Sequence, residues 1–153
     1  MDISSPPKSF GVFKPVGHTV IAFTTPQALE AMAGRLLADG FDEADLTRYT
    51  PALMLAQTAS DLQTASPLAS MGQDLNLVKA HRALAEQGCS FLVVQAPDDE
   101  QAAKVAALAK ASSAVAAQRF GSFIVEELID ATDGEQQVRE SPDTGLDLDQ
   151  TKP

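Results

Sequence analysis

The sequence predicts an α+β domain on a split β-α-β plan. Three observations carry the prediction: two apolar runs of strand length, helix starts marked by a capping residue followed by proline, and glycines where helices should stop. The apolar runs are His18 to Thr24 (HTVIAFT) and Ser90 to Gln95 (SFLVVQ). The second is continuous, in the manner of a strand buried on both faces. The helix starts are Thr25-Pro26 and Thr50-Pro51. There threonine can accept a backbone N–H, and proline fits the first helical turn because it has no N–H to lose.

Met1 to Gly17 holds Pro6, Pro7 and Pro15 with little periodicity, and reads as an extended N-terminal arm with Phe10, Val12 and Phe13 as candidate anchors. After the first strand, Leu29, Met32, Ala33 and Leu36 recur at helical spacing, and Gly40 sits where a left-handed cap would end the helix. Asp45 to Tyr49 (DLTRY) is a shorter, more polar strand. From Pro51 to Gln87 the pattern is helical but interrupted at Ser66-Pro67, which gives helices over 51–64 and 71–87, with Ser70 and Gln73 at capping-box spacing for the second. Gly88 ends it. Asp98 and Gln101 repeat the capping-box spacing before a helix whose Val105, Leu108, Ala109 and Ser112 share a face. Ala114 to Leu128 is one long β-prone stretch with Gly121 as its candidate break.

The order β-α-β-α-α-β-α-β is the ferredoxin-like split β-α-β sandwich with a helical pair inserted before the third strand. In that plan the first and third strands are central, which suits the two most apolar runs, and the second, with Asp45 and Arg48, suits an edge. A doubly wound parallel sheet is the runner-up, since strand and helix order alone does not fix strand direction. A four-stranded sheet with helices on one face leaves the other open, yet its central strands are apolar on both sides. Either the inserted helices or a second copy of the chain must cover it, and the expectation favours a homodimer.

The organisation is then an arm over 1–17, a single domain over 18–129 and an acidic, disordered tail over 130–153. The tail carries seven acidic residues against Arg139 and Lys152, with no aromatic residue. The net charge of −10 opposes binding to nucleic acid or to anionic lipid, both of which need clustered Lys and Arg. No segment approaches the roughly 20 apolar residues of a membrane span. Met1 to Phe10 lacks the apolar run of a signal peptide, so the expected compartment is the cytoplasm. Cys89 is the single cysteine, and it reads as a small buried side chain.

The chain resembles small bacterial domains linked to general or heat-induced stress responses. The likeness is carried by Leu36 to Asp42 (LLADGFD) closing the first helix, Leu84 to Ala102 (LAEQGCSFLVVQAPDDEQA) and the closing strand, and it spans His18 to Leu128. It implies a ferredoxin-like fold and carries over no catalytic residues. The long segment Ser66 to Leu84 (SPLASMGQDLNLVKAHRAL) departs from the small-residue-rich middle of those domains.

Four residues are candidates for a ligand site. His81 has the side chain that titrates near neutral pH, and Leu77, His81 and Leu84 fall on one helical stripe, which favours a buried structural role. Arg48 and Tyr49 precede a helix start, where free N–H groups favour an anion. Arg119 could line the same region or pair with Glu126 or another carboxylate. With two histidines and one cysteine, neither a metal site nor any cofactor is expected. No phosphate loop, dinucleotide glycine pattern or Ser-His-Asp order is present. The sequence therefore points to a non-catalytic cytoplasmic module, stress-related or regulatory, that binds a protein or small ligand. The alternative is a small dimeric α+β barrel enzyme acting on an apolar small molecule through His81 or Arg48.

Overall fold

The computed structural model describes residues 1–9, 11–66, 74–122 and 124–131. The Ser70–Gln73 capping box, the start of the second inserted helix at Met71, the anchor Phe10, and the tail beyond residue 131 lie outside the described residues.

The helix-start signals at Thr25, Thr50 and Asp98 work as caps. The Thr25 hydroxyl accepts from the Ala28 N–H at 3.1 Å and opens α1 (Pro26–Ala38). The Thr50 hydroxyl accepts from the Leu53 N–H at 3.1 Å and opens α2 (Pro51–Thr64), and Asp98 accepts from the Gln101 N–H at 2.8 Å and opens α4 (Asp99–Lys110). Between α2 and α4 runs α3 (Asp74–Glu86). Gly40 ends α1 at φ +102°, which lets the Phe41 N–H reach back to the Leu36 carbonyl at 3.0 Å and seats Phe41 against the helix it closes.

Five strands form one sheet: β3 (His18–Phe23), β4 (Leu46–Tyr49), β5 (Ser90–Gln95), β6 (Ala116–Phe120) and β7 (Val125–Ile129). Their order is β4-β5-β3-β6-β7 and every neighbouring pair is antiparallel, which excludes the parallel, doubly wound alternative. The two apolar runs pair centrally, with Val20 opposite Val93 and Ile21 opposite Leu92, and the polar β4 lies at an edge.

One expectation needs correction. The stretch from Ala114 to Leu128 is not a single fourth strand: the Gly121 N–H donates to the Ile124 carbonyl at 2.9 Å, the chain reverses, and β7 adds a fifth strand beside β6. Periodicity in a β-prone run does not reveal a reversal when the turn spans so few residues.

Both faces of the sheet are covered by the chain itself. Ile21, Phe23, Leu92 and Val94 point toward α1 and α4, where Leu29, Leu36 and Val105 close over them. Val20, Ala22, Phe91 and Val93 point the other way, toward Met54 of α2 and Leu77 and Leu84 of α3. The α2–α3 pair thus supplies the cover for which a second copy of the chain was the favoured expectation. Residues 1–17 add to it with a small hairpin, β1 (Lys8–Ser9) and β2 (Val12–Phe13), outside the main sheet. Val12 and Phe13 are both buried.

At the hairpin turn Gly11 has φ +84°, and a Cβ there would come 2.1 Å from the Thr64 carbonyl oxygen. Gly34, in the exposed middle of α1, has nothing within 4 Å of the same added atom. The two glycines therefore respond to alanine with opposite signs. Gly11→Ala is expected to destabilise the protein by about 1–3 kcal/mol, and Gly34→Ala to stabilise it by about 0.5–1 kcal/mol. Urea midpoints of the two variants check this, and equal shifts of one sign would contradict the packing described.

Candidate functional site

The alternation of β4 decides how its two candidates are used. Leu46 and Arg48 point toward the α1–α4 face, and Tyr49 points toward the α2–α3 face. Arg48 is held on its side by three bonds: Nε to Glu30 Oε2 at 2.7 Å, Nη2 to Glu30 Oε1 at 3.2 Å, and Nη1 to Glu43. The forked bond to Glu30 matches guanidinium geometry, and the two carboxylates hold Arg48 firmly charged, well above its ordinary range. Three of its five N–H donors go to protein carboxylates, which already neutralise its charge.

Arg119 lies on the same face as Arg48 but three strands away, roughly 14 Å across the sheet. Its Nη2 bonds the exposed Asp99 Oδ1 at 2.7 Å, and its strand partner is Glu126. The two arginines do not share a site.

His81 is on the opposite side, 3% exposed, with Nε2 2.9 Å from Gln118 Oε1 and its ring edge-on to Phe91 at 5.6 Å between centroids. The neutral ring donates Nε2–H to the amide oxygen. Burial pushes the His81 pKa down, against the smaller opposing effect of the Gln118 bond. The stripe Leu77, His81, Leu84 seen in the sequence does face the core. Gln118 was not foreseen, because its position in a β-strand gives no sign that its amide meets a helix on the inner face.

Two further inner polar groups lie side by side between β4 and α2. Tyr49 is 1% exposed, its hydroxyl has no hydrogen-bond partner among the described residues, and burial together with Asp61 pushes its pKa up to about 12. Asp61 is also 1% exposed; Oδ1 accepts from Gln57 Nε2 at 3.0 Å, and Oδ2 has no partner among the described residues. Asp61 was missed in the sequence, although Met54, Thr58 and Asp61 stand at helical spacing on the inner face of α2 and could have pointed to it.

His18, at the start of β3, sits with Nδ1 3.1 Å from the Val16 carbonyl, and its buried Nε2 has no partner among the described residues. Burial lowers its pKa. Cys89 is buried, and burial pushes its thiol up, away from the reactive thiolate. Among the described residues no group of three or more His, Cys, Asp and Glu could hold a metal ion, and no helix is long and apolar enough to cross a membrane. A shallow pocket of about 90 Å³ opens between the end of α1 and α4, lined by Asp39, Phe41, Asp45, Gln101 and Lys104. It is several times smaller than the roughly 300 Å³ at which small-molecule sites begin, and it contains none of the four candidates. The four candidates therefore fall into two pairs on opposite sheet faces, and His81 and Arg48 do not approach a common cavity. No protein-family model, curated protein or solved structure matches the chain.

The lowered pKa of His81 makes stability depend on pH. In the unfolded chain the ring takes a proton below about 6.5, whereas the folded protein holds it neutral. Its contribution is therefore complete above that pH and is lost as pH falls through 6.5 toward the depressed folded value. His81→Gln keeps a donor for Gln118 and cannot titrate. Denaturation of both proteins between pH 5 and 8 is expected to show a shallower acid loss in the variant, with a residual slope from His18. Identical slopes would contradict the assignment. His81→Ala, which leaves a cavity and an unpaired amide, is expected to cost about 3 kcal/mol.

Proposed function

We propose that the chain is a non-catalytic cytoplasmic module, stress-related or regulatory, that binds a protein partner through its surface. We further propose that its core is ferredoxin-like, with the α2–α3 pair inserted. The fold reading is supported by the antiparallel order β4-β5-β3-β6 with α1 and α4 packed on one face, to which β7 adds an edge strand.

The observation that carries the functional reading is that three of the four polar candidates are engaged within the molecule and the fourth, Tyr49, is buried. Glu30 and Glu43 take Arg48, Asp99 takes Arg119, and Gln118 takes His81. A catalytic group must reach a substrate in a pocket, and these side chains are either buried beneath helices or tied to surface carboxylates. The net charge of −10 favours a basic partner through electrostatic steering. A homodimer, if it forms, uses a sheet edge or helix surface, since both sheet faces are occupied.

Purified protein is expected to give no turnover on a panel of ester, phosphate, glycoside and carbonyl substrates beyond that of His81→Gln and Arg48→Ala. Turnover abolished by either change would contradict the reading. Titration with basic and acidic peptides of equal length is expected to detect binding of the basic one only, weakening with salt. Equal binding of both peptides would remove the basic-partner assignment.

A further inference from the structure

The N-terminal hairpin is joined to the domain differently from every other strand. It makes no ladder with the five-stranded sheet, and prolines 6, 7 and 15 flank it. It is held by side chains: Val12, fully buried, packs with Leu62 of α2, with Ala65 just past its end, and with Leu75 and Val78 of α3, and the Phe13 ring tilts against Tyr49 at 5.9 Å. One tertiary hydrogen bond joins its turn to α2, from Thr64 Oγ1 to the Gly11 carbonyl at 2.6 Å. Such a unit, with few backbone bonds to its neighbours, belongs to the class that opens well below the free energy of global unfolding.

Next to this hairpin lie two buried polar groups left unsatisfied among the described residues, Asp61 Oδ2 and the Tyr49 hydroxyl. A buried ionised carboxylate lacking a full set of partners is expensive, and hydration relieves it. We propose that the strands β1 and β2 are a latch on the α2–α3 groove, shut over Asp61 while its carboxyl carries a proton and let go when that carboxyl ionises.

The surroundings fix the direction of the effect. Facing Asp61 are Lys8 of β1, the Phe13 N–H of β2, Tyr49 of β4 and Gln57 of α2; the cluster that α3 contributes beside the hairpin is apolar, Leu75 and Val78. Burial raises the carboxyl above its ordinary 3.8, and Gln57, the Phe13 N–H and Lys8 offset only part of that rise. The closed form therefore holds the proton more tightly than the open form. Closure is strongest at or below 3.8 and weakens as pH climbs from there to the raised value. Opening exposes the apolar groove that Val12 fills. This latch is independent of the partner-binding reading above and stands or falls separately.

Tyr49 reports the latch directly, because the chain has one tyrosine and no tryptophan. Acrylamide quenching of tyrosine emission from the full chain, measured from pH 4 to 8, is expected to rise at least threefold in the wild type. In Asp61→Asn, which has the same shape without the charge, it is expected to stay low throughout. Hydrogen exchange followed by mass spectrometry at pH 7 supplies the second readout: protection of β1 and β2 should be about tenfold higher in Asp61→Asn, with the β3 peptide unchanged. Quenching in the wild type that is flat with pH overturns the latch even if the variant does not fold. So does a pH response equal in the two proteins, or a variant in which the hairpin and β3 change protection together.

Discussion

The structure depends on one constraint: β3 and β5, side by side in the middle of the sheet, are apolar on both of their faces. Ile21, Phe23, Leu92 and Val94 face one way, and Val20, Ala22, Phe91 and Val93 the other. Leaving either row in water would forfeit about 1.5–3 kcal/mol for each large side chain, more than a marginally stable domain can lose. An antiparallel pair such as β4 and β5 needs only a short turn to join it. Here the connection runs through α2 and α3, which pack over the second face. The insert is thus a requirement of the sheet.

That cover also sorts the polar groups. On the α1–α4 side the charged residues Arg48 and Arg119 remain partly exposed and reach acidic partners, where pairing needs little desolvation. On the α2–α3 side the polar groups are sealed in and mostly neutral: His81 answers Gln118, and Thr58 bonds back to the Leu55 carbonyl. The exception is the Tyr49 and Asp61 region beneath the hairpin, where partners are incomplete. Among the described residues, unpartnered buried groups also occur at His18 Nε2 and Thr19 Oγ1 on or near β3, but Tyr49 and Asp61 are the two that lie side by side beneath the hairpin.

Much of this was legible in the sequence because it follows from local chemistry. Thr25, Thr50 and Asp98 bond the N–H three residues on, as their spacing implied, and α2 begins and ends where Pro51 and Thr64 suggested. Central and edge strands followed from apolar content, Val20 and Phe91 against Asp45 and Arg48. What stayed hidden depends on contacts distant in sequence. Strands of two residues, Lys8–Ser9 and Val12–Phe13, are too short to show a period, and although Gly121 marked a break, the β-prone residues around it gave no sign that the chain reverses there to add a fifth strand. Whether the insert or a second chain would cover the sheet could not be read from either segment alone, since both satisfy the same apolar demand. The opposite facing of Arg48 and Tyr49 was implicit in strand alternation, yet their adjacency before a helix start suggested a shared site.

The claim that one chain shelters both faces of its own sheet is tested most directly by isotope-filtered nuclear Overhauser spectroscopy on a mixture of labelled and unlabelled full-length protein. Cross-peaks from the His81 ring to Phe91 and to the Gln118 side chain are expected within a single labelled chain, at the separations given by the 5.6 Å ring contact and the 2.9 Å hydrogen bond. The same cross-peaks arising only between labelled and unlabelled chains would mean that a second copy provides the cover.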